Sequence, residues 1–364
     1  MLAAATAPSL AAQPGEPYPA RVARPVLTIG GEGANANSSF GSIDAIGISS
    51  DGRIYVLDGL ESCVKVFSAD GRFLLRFGRL GSGPGEFVRS AGLSVVRDTV
   101  RVLDNQQNRD VVFTLDGMHV RTVNRLRIDG ELWMDRSAEL RYGFLYQDRA
   151  SVVAPGRQPL YDPYEYVTVR SPSAGTADTL ARLRLDAVLV APRDPTMTRA
   201  VLTGFGRAGV AVRSGDSLIV IADATARSVR WYSITPRGAV LERTARLART
   251  GPAVSAAEQR AMEARVAGEE MWRGRGALSF SGATPRWTIA EWGLFSSDGA
   301  FWSGALDHRT GTNAWTAFPM SGEPYEVAVP ADFRLRAVQS DRLYGRAETA
   351  SGVPVVSVYR MTAK

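Results

Sequence analysis

Cysteine occurs once in the 364 residues, at Cys63. One thiol builds neither a disulfide framework nor a thiolate metal site within a single chain. Histidine occurs only at His119 and His308, in different parts of the chain. No His cluster is available, and neither ring is an evident partner for Cys63. Lysine is nearly missing: Lys65 and Lys364 are the only two, so the other 41 of the 43 basic residues are arginines. No run approaches the roughly 18 apolar residues of a membrane span. There is no Gly-x-Ser-x-Gly elbow and no spaced cysteine pair. Gly81-Ser82-Gly83-Pro84-Gly85 is glycine-rich, but it lies between strand patterns rather than opening a helix. It therefore reads as a connection and not as a phosphate loop.

What is present is apolar and turn-rich. Hydrophobic residues make up 45% and charged residues 22%, enough to bury a large core. The net charge is +6 and the pI about 9.6. The arginines are scattered, many on alternating strand positions such as Arg121, Arg125 and Arg127. A nucleic-acid surface needs them clustered with stacking aromatics, so a solvated Arg-rich surface is the better reading and no nucleic-acid partner is expected. Residues 1–24 are Ala- and Pro-rich and close a short apolar run on Ser9-Leu10-Ala11-Ala12-Gln13. They read as a signal-peptide remnant and flexible lead, implying a periplasmic or secreted protein. Residues 25–364 then form one domain.

The stretch Phe40–Phe87 sets a pattern of short strands joined by Asp-Gly turns. Strands are expected near Ala45–Ser49, Arg53–Leu57, Cys63–Ser68 and Phe73–Phe77, with turns at Asp51-Gly52 and Asp70-Gly71. Weaker copies follow, with turn residues at Asp98, Asp216, Asp298 and Asp341. Spacings of roughly 45 residues suit four-stranded propeller blades. Five repeats carry four strands. The last carries three: Phe333–Val338, Arg342–Arg346 and Val353–Tyr359. Pro25–Gly30 is a strand with nothing before it to pair with, so it is expected to complete the last blade and remove an open sheet edge. The expected fold is all-β: a six-bladed β-propeller of four-stranded antiparallel blades. One inserted helix near 255–267 opens on the capping box Ser255-Ala256-Ala257-Glu258.

Gly-Ser-Gly-Pro-Gly-Glu-Phe (81–87), followed by Val-Leu-Asp-Asn-Gln-Gln-Asn-Arg (102–109), resembles the repeat of NHL-type six-bladed β-propellers. Asp341–Gly345 with Val353–Arg360 resembles the C-terminal blade of uncharacterised exported bacterial six-bladed propellers. The resemblance implies the fold and does not choose an activity.

In such a propeller one face is built from the loops between second and third strands and the loops between blades. The long insertions at 148–163, 186–208 and 248–286 all fall in those two sets. Ligand sites favour such ends. Candidates brought there are Asp58, Asp104, Asn105, Arg109, Tyr161, Tyr164, Asp223, Arg227, Trp272, Glu291, His308 and Arg346. One alternative stays open: Asp58, Asp104 and Asp223 can instead bond to loop amides, with Arg109 and Arg227 as their partners. The leading functional expectation is an exported binding protein for a peptide, glycan, protein or small molecule. The alternative is a propeller enzyme, a lactonase-like hydrolase or a lyase. No cofactor is firmly implied. Resemblance to metal-dependent propellers brings in Ca²⁺, held by residues such as Asp104, Asn105 and Glu291.

Overall fold

The computed structural model describes residues 18–124, 127–128, 131–133, 141–147, 164–170, 177–184, 188–190, 200–202, 209–214, 218–235, 238–247, 254–268, 279–280, 293–295, 299–307 and 312–363. The chain begins with β1 (Ala20–Gly30). A first sheet follows, of β2 (Ala45–Ile48), β3 (Ile54–Asp58), β4 (Cys63–Phe67) and β5 (Phe73–Phe77). A second holds β6 (Ser90–Val96), β7 (Thr99–Asp104), β8 (Arg109–Thr114) and β9 (His119–Asn124). Each pairs neighbour to neighbour, antiparallel, at the strands the alternation predicts. The Asp51-Gly52 and Asp70-Gly71 turns serve as expected, and Asp116-Gly117 repeats them in the second sheet: Gly52, Gly71 and Gly117 take φ of 84°, 88° and 81°, a region open to glycine.

The third sheet is β10 (Arg127–Ile128), β11 (Glu131–Trp133), β12 (Arg141–Gln147), β13 (Tyr164–Arg170) and β14 (Ala177–Arg184). It has one more strand than expected. Next, β15 (Val188–Val190) and β16 (Ala200–Leu202) form a small sheet with the later β21 (Ser279–Phe280). No alternation announces strands this short. The fourth sheet is β17 (Gly209–Ser214), β18 (Leu218–Asp223), β19 (Ser228–Thr235) and β20 (Gly238–Arg246). The helix α1 covers Ala256–Gly268. Its capping box is made: the Glu258 carboxylate accepts from the Ser255 amide at 2.9 Å, and the Ser255 hydroxyl accepts from the Glu258 amide at 3.3 Å.

The remaining strands form one eight-stranded sheet, whose first half, the fifth sheet here, is β22 (Gly293–Phe295), β23 (Phe301–Asp307), β24 (Thr312–Phe318) and β25 (Tyr325–Pro330). Its second half, the sixth sheet here, is β1 with β26 (Arg334–Gln339), β27 (Arg342–Glu348) and β28 (Pro354–Ala363). The strand β1 lies antiparallel beside β28, with Leu27, Thr28 and Ile29 opposite Val358, Ser357 and Val356. It starts at Ala20, inside the segment read as a flexible lead. Its first residues, Ala20–Val22, run parallel to β25 and so join the fifth sheet to the sixth.

The cores lie between sheets, not within them. Tyr55, Leu57 and Val66 pack against Val100, Val102 and Phe113 between the first and second sheets. Ile54, Val56 and Phe67 meet Tyr344, Val356 and Val358 between the first and sixth. Trp302 and Trp315 meet Leu335 and Leu343 between the fifth and sixth. Trp231 meets Phe301 and Phe318 between the fourth and fifth, and Leu183 meets Ile219 and Ile221 between the third and fourth. The first, fourth, fifth and sixth sheets thus bury both faces against neighbours, and in the first all five residues of β3 and all five of β4 are buried. Side chains such as Phe67 and Trp231 are worth roughly 1.5–3 kcal/mol each when buried fully. Such stacking of sheets is the propeller logic: no one sheet can cover both of its own faces.

Candidate functional site

The connections after β3 and after β7 were expected to bring polar groups to one end. They do bring them, and then bond most of them. Asp58 is fully buried. Its carboxylate accepts from the amides of Gly41 at 2.9 Å, Ser42 at 3.1 Å and Glu61 at 3.2 Å. Asp104, also fully buried, accepts from the amides of Val88 at 3.2 Å, Arg89 at 3.4 Å and Gln107 at 3.3 Å, and from Arg109 Nε at 3.4 Å. In the first and second sheets one carboxylate thus ties its own loop to the incoming connection. Asp223 Oδ1 accepts from the amides of Thr225 at 2.9 Å and Ala226 at 3.0 Å, and from the Thr225 hydroxyl at 2.5 Å. Arg227 closes that turn in the left-handed region, φ 51°, with its amide on the Ala224 carbonyl at 3.3 Å.

Arg109 holds the glycine-rich connection. Its guanidinium donates to the carbonyls of Ser82 at 2.8 Å, Glu86 at 2.8 Å and Gly81 at 3.4 Å. A phosphate loop turns amides toward its ligand; here carbonyls turn toward a cation. Glu86 completes the loop, accepting from the Gly83 amide at 2.7 Å and from Arg79 Nε at 2.7 Å. Those bonds, Gly83 first and Arg79 next, hold the Glu86 carboxyl below its usual range.

Lys65 is a feature that no motif announces. It is fully buried on β4, the one charged residue of a five-residue apolar strand. Its ammonium donates to the Ser39 carbonyl at 2.6 Å and to Glu61 at 2.9 Å, and lies 3.6 Å from Asp58. Its signal in the sequence is position alone: a lysine where every neighbour is core. Beside it Cys63 is buried, and burial, then the Glu61 charge, pushes its thiol up to about 11. A neutral, enclosed thiol of this kind is not a nucleophile.

Two cavities lie among the described residues, the first built from those connections and the second mainly from strand residues of β24, β26 and β27. The first, of about 650 Å³, is lined by Asp44, Gly59, Arg89, Ser90, Asn105 and Gln106, among others. Gly59 is required there, because a Cβ would lie 1.9 Å from Asp44 Oδ2. The second, of about 410 Å³, is lined by Trp315, Arg334, Leu335, Arg336, Arg346 and Ala347, together with Asp332 and Glu348. Arg346 pairs with Glu348 at 2.6 Å. The charge of Asp44, in the first cavity, acts on Arg336, in the second.

Of the expected site residues, Asn105 and Arg346 therefore line cavities. Asp58, Asp104, Arg109 and Asp223 are engaged in loop bonding. Tyr164 opens β13, paired in register with Gln147 and Arg184. Tyr161, Trp272, Glu291 and His308 lie outside the described residues. Sequence reasoning missed Asp44, Arg336 and Trp315 as cavity residues. No helix of the described residues is long and apolar enough to cross a membrane.

Comparison with known proteins agrees on architecture. The DUF5128 family, described as a 6-bladed beta-propeller, matches residues 35–144. A crystal structure of a DUF4221 family member from Bacteroides vulgatus is similar at 10% identity and a TM-score of 0.50, covering 94% of this chain and 98% of that one. A protein described as exported, from Bacteroides fragilis, is similar at 10% identity and a TM-score of 0.45, covering 90% and 93%. No curated protein matches the chain. Likeness at this identity speaks for the fold alone: the sheets that pack face to face in the chain are those of a β-propeller.

Proposed function

We propose that the protein is an exported, six-bladed binding propeller that takes its ligand at the end carrying the two cavities. One observation carries this reading. The carboxylates best placed for metal or acid–base chemistry, Asp58 and Asp104, spend their oxygens on backbone amides. A carboxylate saturated by three amides is a structural bracket rather than a general base or a ready ligand for Ca²⁺. The cavities beside these brackets keep their amide and guanidinium groups near the surface, the complement of a polar ligand. Export rests on the short apolar run ending at Ser9–Gln13.

The test is metal analysis of purified protein, with thermal unfolding followed in Ca²⁺, Zn²⁺ and EDTA, and turnover of a lactone panel. The expected result is no stoichiometric metal, no shift with any of the three, and no turnover. Bound Ca²⁺ with an EDTA-induced drop in Tm, or lactone hydrolysis, would replace this reading with the metal-dependent hydrolase.

A further inference from the structure

We infer that the cavity of about 410 Å³ beside β26 and β27 is a binding site for a small organic acid, with Arg336 receiving its carboxylate. The proposal rests on the binding reading above and names the ligand class for one of its two cavities.

Three features converge. The first is backbone. Between β26 and β27, Leu335 pairs with Gly345 and Ala337 with Tyr344, so Arg336 is the extra residue of a β-bulge. Without the bulge, strict alternation would set Arg336 on the face opposite Leu335 and Ala337. The bulge breaks that alternation and lets Leu335 and Arg336 line one cavity; re-aiming a side chain is a recurrent use of bulges. Gly345 makes the bend feasible: a Cβ there would lie 2.5 Å from the Phe333 ring and 2.6 Å from the Arg334 carbonyl.

The second is unspent donors. Arg346 is taken up by Glu348, and Arg334 Nη1 by the Ala331 carbonyl at 3.1 Å. Arg336 has no such partner among the described residues, and its Nε is buried. Trp315, 7% exposed, lines the same cavity, and its indole N–H is likewise buried without a partner. A folded protein pairs nearly all such groups. Burial, with Arg346 and Arg334 acting the same way against Asp44, lowers the Arg336 guanidinium from its ordinary value. A guanidinium under that pressure gains most from an anion.

The third is shape. The planar fork of the Arg336 guanidinium matches a carboxylate, which accepts two donors in one plane. The remaining walls, Leu335, Ala347 and the Trp315 ring, are apolar. They suit a hydrocarbon body attached to the acid and offer nothing to inorganic phosphate or sulfate. The charged lining, three arginines against Asp332 and Glu348, leaves one net positive charge for one carboxylate.

Isothermal titration of the full chain with benzoate, benzamide and inorganic phosphate tests this, each up to about 10 mM. Benzoate should bind, with benzamide and phosphate weaker by about tenfold or more, the loss expected when a charge-assisted bond or the apolar contact is missing. Arg336→Gln should weaken benzoate by about tenfold or more, while Arg360→Gln, on β28 and 49% exposed, leaves it unchanged. Arg336→Lys, which keeps the charge and loses the fork, should fall between wild type and Arg336→Gln. Far-UV circular dichroism reports whether each variant is folded. No binding of benzoate to wild type overturns the proposal and leaves the wider binding reading to its own metal and turnover tests. Equal binding by folded Arg336→Gln overturns it, as does phosphate binding as tightly as benzoate.

Discussion

Arg109→Ala is the perturbation that most directly tests how the sheets are tied together. The guanidinium is 9% exposed and makes four bonds, to Asp104 and to the carbonyls of Gly81, Ser82 and Glu86. Two are short, at 2.8 Å, and two are at 3.4 Å. Bonds to a charged group are worth about 1.5–3 kcal/mol each. The long pair adds little: Asp104 keeps its three amides, and the loop carbonyls regain water once the side chain is gone. Counting the two short bonds and discounting for that recovered water gives about 3 kcal/mol. Arg109→Lys keeps the charge but places one ammonium where a planar fork served four acceptors, so it should recover only part of the loss. Arg79→Ala is the control. Its ion pair with Glu86 belongs to the same loop, but Arg79 is 78% exposed, and exposed pairs contribute little. Equilibrium unfolding in guanidinium chloride gives the three values, and limited proteolysis reports on residues 81–87. The expected order is Arg79→Ala at the wild-type midpoint, Arg109→Lys lower, and Arg109→Ala lowest with early cleavage at the loop. An Arg109→Ala midpoint no lower than that of Arg79→Ala would refute the bracket.

Three further outcomes follow from single features. Gly78→Ala should cost about 2–4 kcal/mol in the same assay, because φ is 83° and a Cβ would sit 2.5 Å from the Phe87 ring. Cys63 should resist iodoacetamide at about pH 8 until the chain unfolds. Its folded pKa of about 11 lies above the ordinary thiol value, so its contribution to stability is complete below that value and is lost as pH rises toward 11. Cys63→Ala should therefore flatten part of the alkaline fall in stability. Removing residues up to Gly30 uncovers the edge of β28 that β1 now pairs. Size-exclusion chromatography should then show self-association, and a monodisperse, fully folded product would contradict that role.

Strands were legible where burial is one-sided or complete and a turn residue punctuates it. The Asp-Gly pairs at 51–52, 70–71 and 116–117 each put glycine at positive φ, which is a local demand that any reader of the sequence can recognise. The pairing of β1 with β28 was legible by counting, since one repeat lacked a strand and one strand lacked a repeat. The start of β1 was not. Residues Ala20–Val22 bury little and are held by backbone bonds to β25 and β28, so their side chains carry no alternation to read. The three-residue strands β15 and β16 escape for a related reason: periodicity needs more residues than they have.

The candidate site divides along a different line. Asp58, Asp104 and Arg109 were picked for chemical type, and type does not say whether a group is already spent. What spends them is backbone: connections of the first and second sheets that arrive with amides or carbonyls unpaired by any ladder. Buried amides must find acceptors, so the best-placed carboxylates are consumed by folding before any ligand arrives. Arg336 is the reverse. By sequence it is one more arginine in Arg-Leu-Arg, alternating as a strand residue should. The bulge between Leu335 and Ala337 breaks that alternation, and a bulge depends on the partner strand, here on the bare Cα of Gly345 beside Phe333. Arg336→Gln and Asp58→Ala should therefore separate cleanly. The first changes ligand binding with little change in the unfolding midpoint. The second leaves three amides without their acceptor and takes away the charge 3.6 Å from Lys65, which keeps only Ser39 and Glu61, and should lower stability by about 3–5 kcal/mol. If Asp58→Ala were as stable as wild type, the assignment of its carboxylate to the fold would fail, and with it the reason for looking to Arg336 rather than to the aspartates.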